Sequence, residues 1–264
     1  MSEPQQYGEN KKIFLVIHGH FYQPPRENPW TQTIPFQQNA RPFYDWNERV
    51  TAQCYKPNTR SRVLDEHGRI LDLVNNFAHI NFNIGPTLFS WMKKFHPDTY
   101  RRILEADQKS QESNQGHGNA IAQVYNHIIL PLANNQDKMT QIIWGKREFR
   151  HRFGREPESI WLAETAINME TVKCLIDQGI KYVILSPTQA QRIRKFGQAD
   201  WTDVSNNTID TTQPYRIFLQ AETQETEREE QYLAPNLQYL NVFWWHSPLS
   251  TDISFNHILR DADT

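Results

Sequence analysis

One glutamate stands where a side chain could take part directly in bond-making chemistry. Glu164 follows the triplet Trp161-Leu162-Ala163 near the end of a predicted strand and precedes a predicted helix. A carboxylate fixed there by rigid backbone can attack an electrophilic carbon or accept a proton. The same residue could instead be an acid at a helix N-terminus, favoured by the helix dipole. The residues alone leave both interpretations open.

Two histidines form an H-x-H pattern in the stretch HGHFYQPP, directly after the apolar run KIFLVI at 12–17. Residues i and i+2 of a strand point to the same side, so His18 and His20 could share one ligand. They could bind a metal ion or donate hydrogen bonds to sugar hydroxyls, and spacing identifies no third metal ligand. They could also be structural histidines satisfied by local backbone. Gln23 carries a planar amide that suits hydroxyl recognition, although a solvated loop glutamine would look the same.

Two further residues are candidates for contact with a ligand. His117 lies between two glycines, where backbone can approach a ligand closely, although a simple turn would have the same composition. Trp161 could stack on a sugar face, as could Trp244 and Trp245. Tryptophans in strands more often belong to the core, and that remains the alternative for these residues.

Composition excludes several classes of function. The chain has 264 residues with 28 Lys and Arg against 30 Asp and Glu, and it has no long basic run, so nucleic acid is not an expected partner. No stretch approaches the ~18–20 apolar residues of a membrane span. Cys54 and Cys174 are too few for a disulfide framework and fit a reduced compartment, so a cytoplasmic location is predicted. Residues 1–11 read as a disordered polar tail.

The elements that would position these side chains alternate along the chain. Apolar strands separated by helices predict an α/β fold with a parallel sheet covered on both faces. In such sheets the chemistry lies at the carboxyl ends of the strands, where His18, His20 and Glu164 are all expected. Thr87 is predicted to cap the helix that follows Gly85-Pro86. The strands are predicted at 12–17, 79–84, 159–165, 180–187 and 237–246, and further helices at 61–77, 97–113, 138–153 and 166–177.

These segments together resemble glycoside hydrolase family 57, the α-amylase and 4-α-glucanotransferase group. The resemblance is carried by HGHFYQPPRENPW, YDWNERVTAQCY, NFNIGPTLFSW, YRRILEAD and IWLAETA. It runs from about Lys12 to the end of the chain and is strongest to the amino-terminal part of longer bacterial members. It implies a TIM-like, incomplete parallel (β/α)7 barrel over residues 12–264 that lacks its C-terminal strands. It also implies retention of configuration at α-glucosidic bonds.

The resemblance assigns roles to individual residues. It implies that Glu164 is the nucleophile, that Tyr22-Gln23-Pro24 ends the first family motif with His20 displaced upstream, and that His117 lies in the second. The family's acid/base aspartate, in a T-D-G-E-like segment, has no counterpart here. Asp252 is the nearest acidic residue after a predicted strand, but its surroundings do not match. Retaining hydrolysis needs two carboxyl groups about 5–5.5 Å apart, so whether the chain is an enzyme stays open.

The predicted function is therefore that of a carbohydrate-active protein of the retaining α-glucan hydrolase or transglycosylase type. Its expected partner is an α-glucan or oligosaccharide, and no cofactor or metal is predicted. The predicted substrate-binding residues are His18, His20, Gln23, His117 and Trp161. Two alternatives remain: a non-catalytic glucan-binding relative without the acid/base, or a metal-dependent polysaccharide deacetylase. The Asp-Asp pair and H-x-x-x-H helix that the deacetylase needs do not occur.

Overall fold

A computed structural model describes residues 14–196, 198–219 and 237–256. The predicted tail at 1–11 lies outside these ranges. The strands are β1 His18–Phe21, β2 Ser61–Leu64, β3 Ile70–Val74, β4 Asn81–Ile84, β5 Ala122–Gln123, β6 Ile160–Trp161, β7 Tyr182–Leu185, β8 Arg192–Ile193, β9 Thr202–Asp203, β10 Tyr215–Phe218 and β11 Tyr239–Trp244. The helices are α1 Trp46–Val50, α2 Lys56–Asn58, α3 Pro86–Phe95, α4 Pro97–Ser113, α5 Asn135–Phe153, α6 Met169–Asp177 and α7 Ser247–Phe255, with a π-helical segment Thr51–Tyr55 between α1 and α2.

Parallel pairing links six of these strands side by side. β1 pairs with β4, β5 with β6, and β7 with β11, all in parallel. Parallel bridges between Phe82 and Ala120 and between Ser159 and Tyr182 join these pairs to one another. The order is therefore β1-β4-β5-β6-β7-β11, with β10 antiparallel at the outer side of β11. The carboxyl ends of six strands consequently lie along one rim, which confirms the predicted parallel α/β arrangement.

Helices α3 to α6 cover this sheet and build one large core. Phe82 on β4, Ile160 on β6 and Leu175 on α6 are almost completely buried in it. Helix α5 lies very close to β5, because a Cβ at Gly145 would stand only 2.1 Å from the carbonyl oxygen of Gln123. A glycine at this position is what allows the helix to approach the strand so closely.

Several predicted elements are confirmed. The helix predicted at 97–113 is α4, and the helix predicted at 138–153 is α5 with three more residues at its start. The side chain of Asn134 accepts a hydrogen bond from the backbone of Asp137 and caps α5. Gly154 ends that helix with a left-handed φ of 71°. None of the helices in the described ranges combines the length and apolar character needed to cross a bilayer.

The helix predicted over 61–77 is wrong, because β2 and β3 form an antiparallel hairpin there. The side chain of Asp65 accepts hydrogen bonds from the backbone of His67 and Arg69, and Gly68 adopts a φ of +74°. These groups form a tight turn, which interrupts the helical spacing of the apolar residues.

Three other boundaries also differ from the prediction. The strand predicted at 12–17 begins only at His18, and Phe14, Leu15 and Val16 are exposed. Gly85 and not Thr87 is the N-cap of α3, since the Thr87 hydroxyl donates to the backbone carbonyl of Gln23. The strand predicted at 159–165 contains only β6 and then turns sharply.

Candidate functional site

The two histidines lie within β1 and not behind it. The register pairs His18 with Asn81 and His20 with Asn83 of β4, so an asparagine side chain lies beside each imidazole. Nδ1 of His18 is 2.5 Å from Oδ1 of Asn81, and its Nε2 is 3.1 Å from Oδ1 of Asn83. Nδ1 of His20 lies 3.0 Å from Nδ2 of Asn83. The asparagines of NFNI thus fix both rings, and sequence reasoning gave them no part in the site.

Trp161 packs over both histidines from the neighbouring strand β6. Its ring centroid is 4.7 Å from that of His18 and 4.7 Å from that of His20, with interplanar angles of 12° and 20°. The indole is half-buried, and its Nε1 is buried without a hydrogen-bond partner among the described residues. Trp161 therefore holds the histidine pair in place, and its contacts are with imidazoles.

His127 completes the cluster from the loop after β5. Its Nε2 lies 3.0 Å from Nε2 of His20, and its ring stacks on Tyr22 at a centroid distance of 3.9 Å. The backbone of His127 has a φ of 55°, in the left-handed region that few histidines adopt. Sequence reasoning missed this residue. The available signal was the polar pair Asn126-His127 directly behind an apolar strand.

Glu164 lies in a strained turn at the carboxyl end of β6. Glu164 and Thr165 adopt φ values of 54° and 52°, each a conformation that costs on the order of 1–3 kcal/mol. The buried Thr165 is held by Gln189 behind β7, whose Nε2 donates to the Thr165 carbonyl at 2.8 Å. The Thr165 hydroxyl also donates to Oε1 of Gln189. This clamp defines the turn and leaves Glu164 exposed at the rim.

The interpretation of Glu164 as an N-terminal helix acid is not supported. Helix α6 begins at Met169, and the side chain of Asn168 caps it by accepting from the backbone of Thr171. The acid in its first turn is Glu170. Glu164 therefore lies before the helix and outside the reach of its first turn.

The local environment favours neutral imidazoles. Burial lowers the pKa of His18, against smaller opposing effects of its bonds to Asn81 and Asn83. Loss of solvent around the ring lowers the pKa of His20 to about 4, although part of this residue is exposed at the rim. Burial also lowers the pKa of His127, whereas the negative charge of Glu164 raises it. The Glu164 carboxylate therefore acts electrostatically on the histidine that contacts His20.

Gln23 lies on the same rim, in the loop after β1, and its side chain is already engaged. Its Oε1 accepts a hydrogen bond from Arg26 at 2.8 Å, and Arg26 also donates to Oδ1 of the buried Asn47 on α1. The Gln23 side chain is thus held by Arg26, which is itself bonded to α1.

His117 is not brought together with these residues. Its Nδ1 lies 2.8 Å from Oε2 of Glu158, whose other oxygen accepts from Lys181 at 2.6 Å. All three residues precede their strands, so they lie at the amino ends of the sheet, opposite the rim. The glycine-flanked histidine thus contacts the ion pair of Glu158 and Lys181. A cleft of about 570 Å³ lined by Pro157, Gln178 and Gly179 lies near that same end.

The donor set does not resemble a metal centre. Within the described ranges no group of three or more His, Cys, Asp or Glu side chains could hold a metal ion. Both ring nitrogens of His18 contact asparagine amides. Asp252, on α7, accepts from the side chain of Asn256 at 2.7 Å. At the rim the exposed Glu164 carboxylate acts on His127, which contacts His20, and such a set of groups is suited to binding hydroxyl groups and to nucleophilic attack.

Comparisons with known proteins identify the family of this chain. The family model described as glycosyl hydrolase family 57 matches residues 9–263. Alpha-amylase 1 of Dictyoglomus thermophilum is 27% identical over 106 residues, which is 40% of this chain and 15% of the amylase.

Solved structures with low identity show the same fold. The 4-alpha-glucanotransferase of Thermococcus litoralis has a TM-score of 0.58 at 16% identity, over 95% of this chain and 30% of that enzyme. An exo-type maltose-forming amylase of Pyrococcus sp. ST04 has a TM-score of 0.57 at 15% identity, over 92% and 36%. A branching enzyme of Thermococcus kodakaraensis has a TM-score of 0.53 at 15% identity, over 93% and 49%. This chain thus spans less than half the length of each of these relatives, and it belongs to glycosyl hydrolase family 57.

Proposed function

We propose that this chain acts on α-glucosidic bonds with retention of configuration and that Glu164 is the nucleophile. The observation that carries the proposal is the placement of Glu164 in a clamped left-handed turn at the sheet rim, exposed and electrostatically coupled to His127. Backbone strain of this kind clusters at active sites, where it fixes a reacting group. The relatives named as amylase and 4-alpha-glucanotransferase supply the substrate class.

In this mechanism the Glu164 carboxylate attacks the anomeric carbon and displaces the leaving oxygen, which gives a glycosyl-enzyme ester. Water or an acceptor hydroxyl then attacks the same carbon and releases the carboxylate. His20 and His127, both favoured as neutral rings, orient the hydroxyl groups of the sugar. His18, Trp161 and Gln23 keep that wall of the site in place.

Protonation of a sugar leaving group requires a second carboxyl group about 5–5.5 Å from the nucleophile. The resemblance gives no residue for this role, and Asp252 is bonded to its own helix neighbour. A fluoride leaving group departs without a proton, so a glycosyl fluoride separates the nucleophile from the acid in an experiment.

We also propose that the domain is an incomplete (β/α)7 barrel over residues 12–264. The six parallel strands that lie side by side support this proposal. A cytoplasmic location is part of the same proposal, supported by the two free cysteines.

Fluoride release from α-maltosyl fluoride tests the proposal. The wild-type chain is expected to release fluoride, and Glu164→Gln is expected to lower the rate by at least ~10³-fold, since loss of the nucleophile removes the covalent route. Glu156→Gln, a change of an exposed acid near the opposite end of the sheet, serves as the matched control. Equal rates for Glu164→Gln and the wild type would refute the role of Glu164.

A second candidate function is binding of α-glucan without cleavage. It is favoured because no acid partner for Glu164 is identified among the described residues, and one carboxylate without an acid recognises a sugar but cleaves it inefficiently. Calorimetric binding of maltoheptaose together with no fluoride release would favour it over the enzyme.

A further inference from the structure

The buried amide of Asn83 occupies the centre of the histidine cluster. Asn83 is completely buried, and its side chain contacts His18, His20 and Gln123. A buried amide in contact with two imidazoles controls which ring nitrogens carry protons, because a hydrogen bond needs one donor and one acceptor. The consequence for each histidine follows from the orientation of this amide.

The proton position on His18 is fixed from outside the cluster. Nδ2 of Asn81 donates to the backbone carbonyl of Asn119 at 2.7 Å, so the amide of Asn81 cannot turn around without losing this bond. Its Oδ1 therefore faces His18 and accepts from Nδ1. His18 carries a proton on Nδ1 in either charge state.

The amide of Asn83 has two possible orientations. In the first, Oδ1 accepts from Nε2 of His18 and Nδ2 donates to His20 and Gln123, which makes His18 a doubly protonated imidazolium. In the second, the amides of Asn83 and Gln123 are both turned, and Nδ2 of Asn83 donates one hydrogen to each imidazole. Burial lowers the pKa of both histidines and favours this second, uncharged arrangement.

Both orientations have the same result for His20. In each, one hydrogen of the buried NH₂ group is donated elsewhere, to Gln123 in the first orientation and to His18 in the second. The other hydrogen needs an acceptor, and among the contacts of the described residues that acceptor is Nδ1 of His20, which lies 3.0 and 3.1 Å from the two amide atoms. The proton of neutral His20 must then be on Nε2, which points at Nε2 of His127 3.0 Å away. His127 accepts that proton and is left with its own proton on Nδ1.

We propose that Asn83 is a positioning residue that holds His20 as the Nε2–H tautomer and so directs its N–H into the site. That this N–H binds a glucan hydroxyl rests on the proposed function. The assignment of the tautomer does not rest on it. Gln123 supports the Asn83 amide from the far side at 2.7 Å.

The test is ¹⁵N NMR of the imidazole nitrogens in the full chain without substrate. We expect the spectrum of His20, assigned by its loss in His20→Gln, to be that of an Nε2–H tautomer near pH 7. Observation of the Nδ1–H tautomer would overturn the proposal whether or not the protein cleaves glucans. The fluoride assay tests Glu164 independently of this result.

A charge-changing variant gives a second readout. Asn83→Asp replaces the donating NH₂ with an acceptor, so His20 is expected to move its proton to Nδ1 and its titration midpoint to rise by roughly 1–3 units. The side chain of Asn241 donates to the Lys181 carbonyl near the opposite end of the sheet. The control variant Asn241→Asp should leave the tautomer and the titration midpoint of His20 unchanged. A folded Asn83→Asp protein with the wild-type tautomer would contradict the assignment. If Asn83→Asp does not fold, the wild-type spectrum still decides.

Discussion

Nε2 of His20 lies 3.0 Å from Nε2 of His127, and this contact joins β1 to the loop behind β5 at the rim of the sheet. Two such nitrogens can approach only as donor and acceptor, so one proton lies between the rings. Because Glu164 acts on the charge of His127, the contact connects the candidate nucleophile to the histidine pair of β1. Residues of β1, of the loop after β5 and of the turn after β6 thus come together in the candidate site.

Removal of His127 should separate Glu164 from this pair. His127→Ala deletes the partner of His20 and the ring that stacks on Tyr22. We expect the rate of fluoride release from α-maltosyl fluoride to fall by roughly 10²-fold. This is the lower end of the loss expected when a positioned group that donates or accepts a proton is removed. Asn126→Ala, at the exposed neighbouring position, is the control. An unchanged rate for His127→Ala would mean that this histidine is outside the site.

The lowered pKa of His20 predicts a dependence of stability on pH. Between pH 6.5 and about 4 the unfolded chain binds the proton of this histidine and the folded chain does not. The free energy of unfolding should therefore fall as pH decreases through this window. His20→Gln should reduce the slope by up to one proton, measured by urea unfolding from pH 7 to pH 4. Because His20 is partly exposed, a fraction of a proton is expected. An equal slope in His20→Gln and the wild type would contradict the assignment.

The clamp on the Glu164 turn should matter for both stability and activity. Gln189→Ala removes the donor to the Thr165 carbonyl and the acceptor for its hydroxyl. The loss leaves buried groups unsatisfied, so the free energy of unfolding should drop by about 1–3 kcal/mol. Fluoride release should fall as well, because Glu164 loses its fixed position. Gln191→Ala, two residues away and exposed, is the matched control. Retention of full activity in a destabilised Gln189→Ala protein would show that the clamp does not position Glu164.

A buried ion pair should be essential for the fold behind the site. Arg155 donates two hydrogen bonds to Asp107 on α4, and Asp107 also accepts from the backbone of Ala120. Arg155→Ala leaves this carboxylate buried and uncompensated, which should cost about 3–5 kcal/mol in urea unfolding. Arg101→Ala removes exposed ion pairs on the same helix, which solvent screens, and should cost much less. Similar losses in the two variants would contradict the importance of burial.

Part of this site was predictable because strand ends in parallel sheets are predictable. The pattern of an apolar run followed by polar side chains located Glu164 at the carboxyl end of β6 and put His18 and His20 together on one strand, but the structure places both histidines within β1 and not behind it. The same reasoning could not distinguish the two ends of a strand for His117, since a glycine-flanked histidine fits either end. It precedes β5 and pairs with Glu158.

The residues that the sequence did not reveal act through pairing between distant segments. Asn81 and Asn83 are ordinary strand residues until the register with β1 places them beside the histidines. The hairpin of β2 and β3 was missed because the apolar spacing of that segment suits a helix, while the turn at Asp65 and Gly68 decides the structure. Local turn chemistry and long-range register outweighed periodicity in these places.

Covalent trapping of the nucleophile tests the central claim most directly. The full chain is incubated with 5-fluoro-α-glucosyl fluoride, and the adduct is located by mass spectrometry of the intact protein and its peptides. The account predicts one added fluoroglucosyl group on the peptide that contains Glu164, and no adduct in Glu164→Gln. An adduct on another carboxylate, or one that persists in Glu164→Gln, would contradict it.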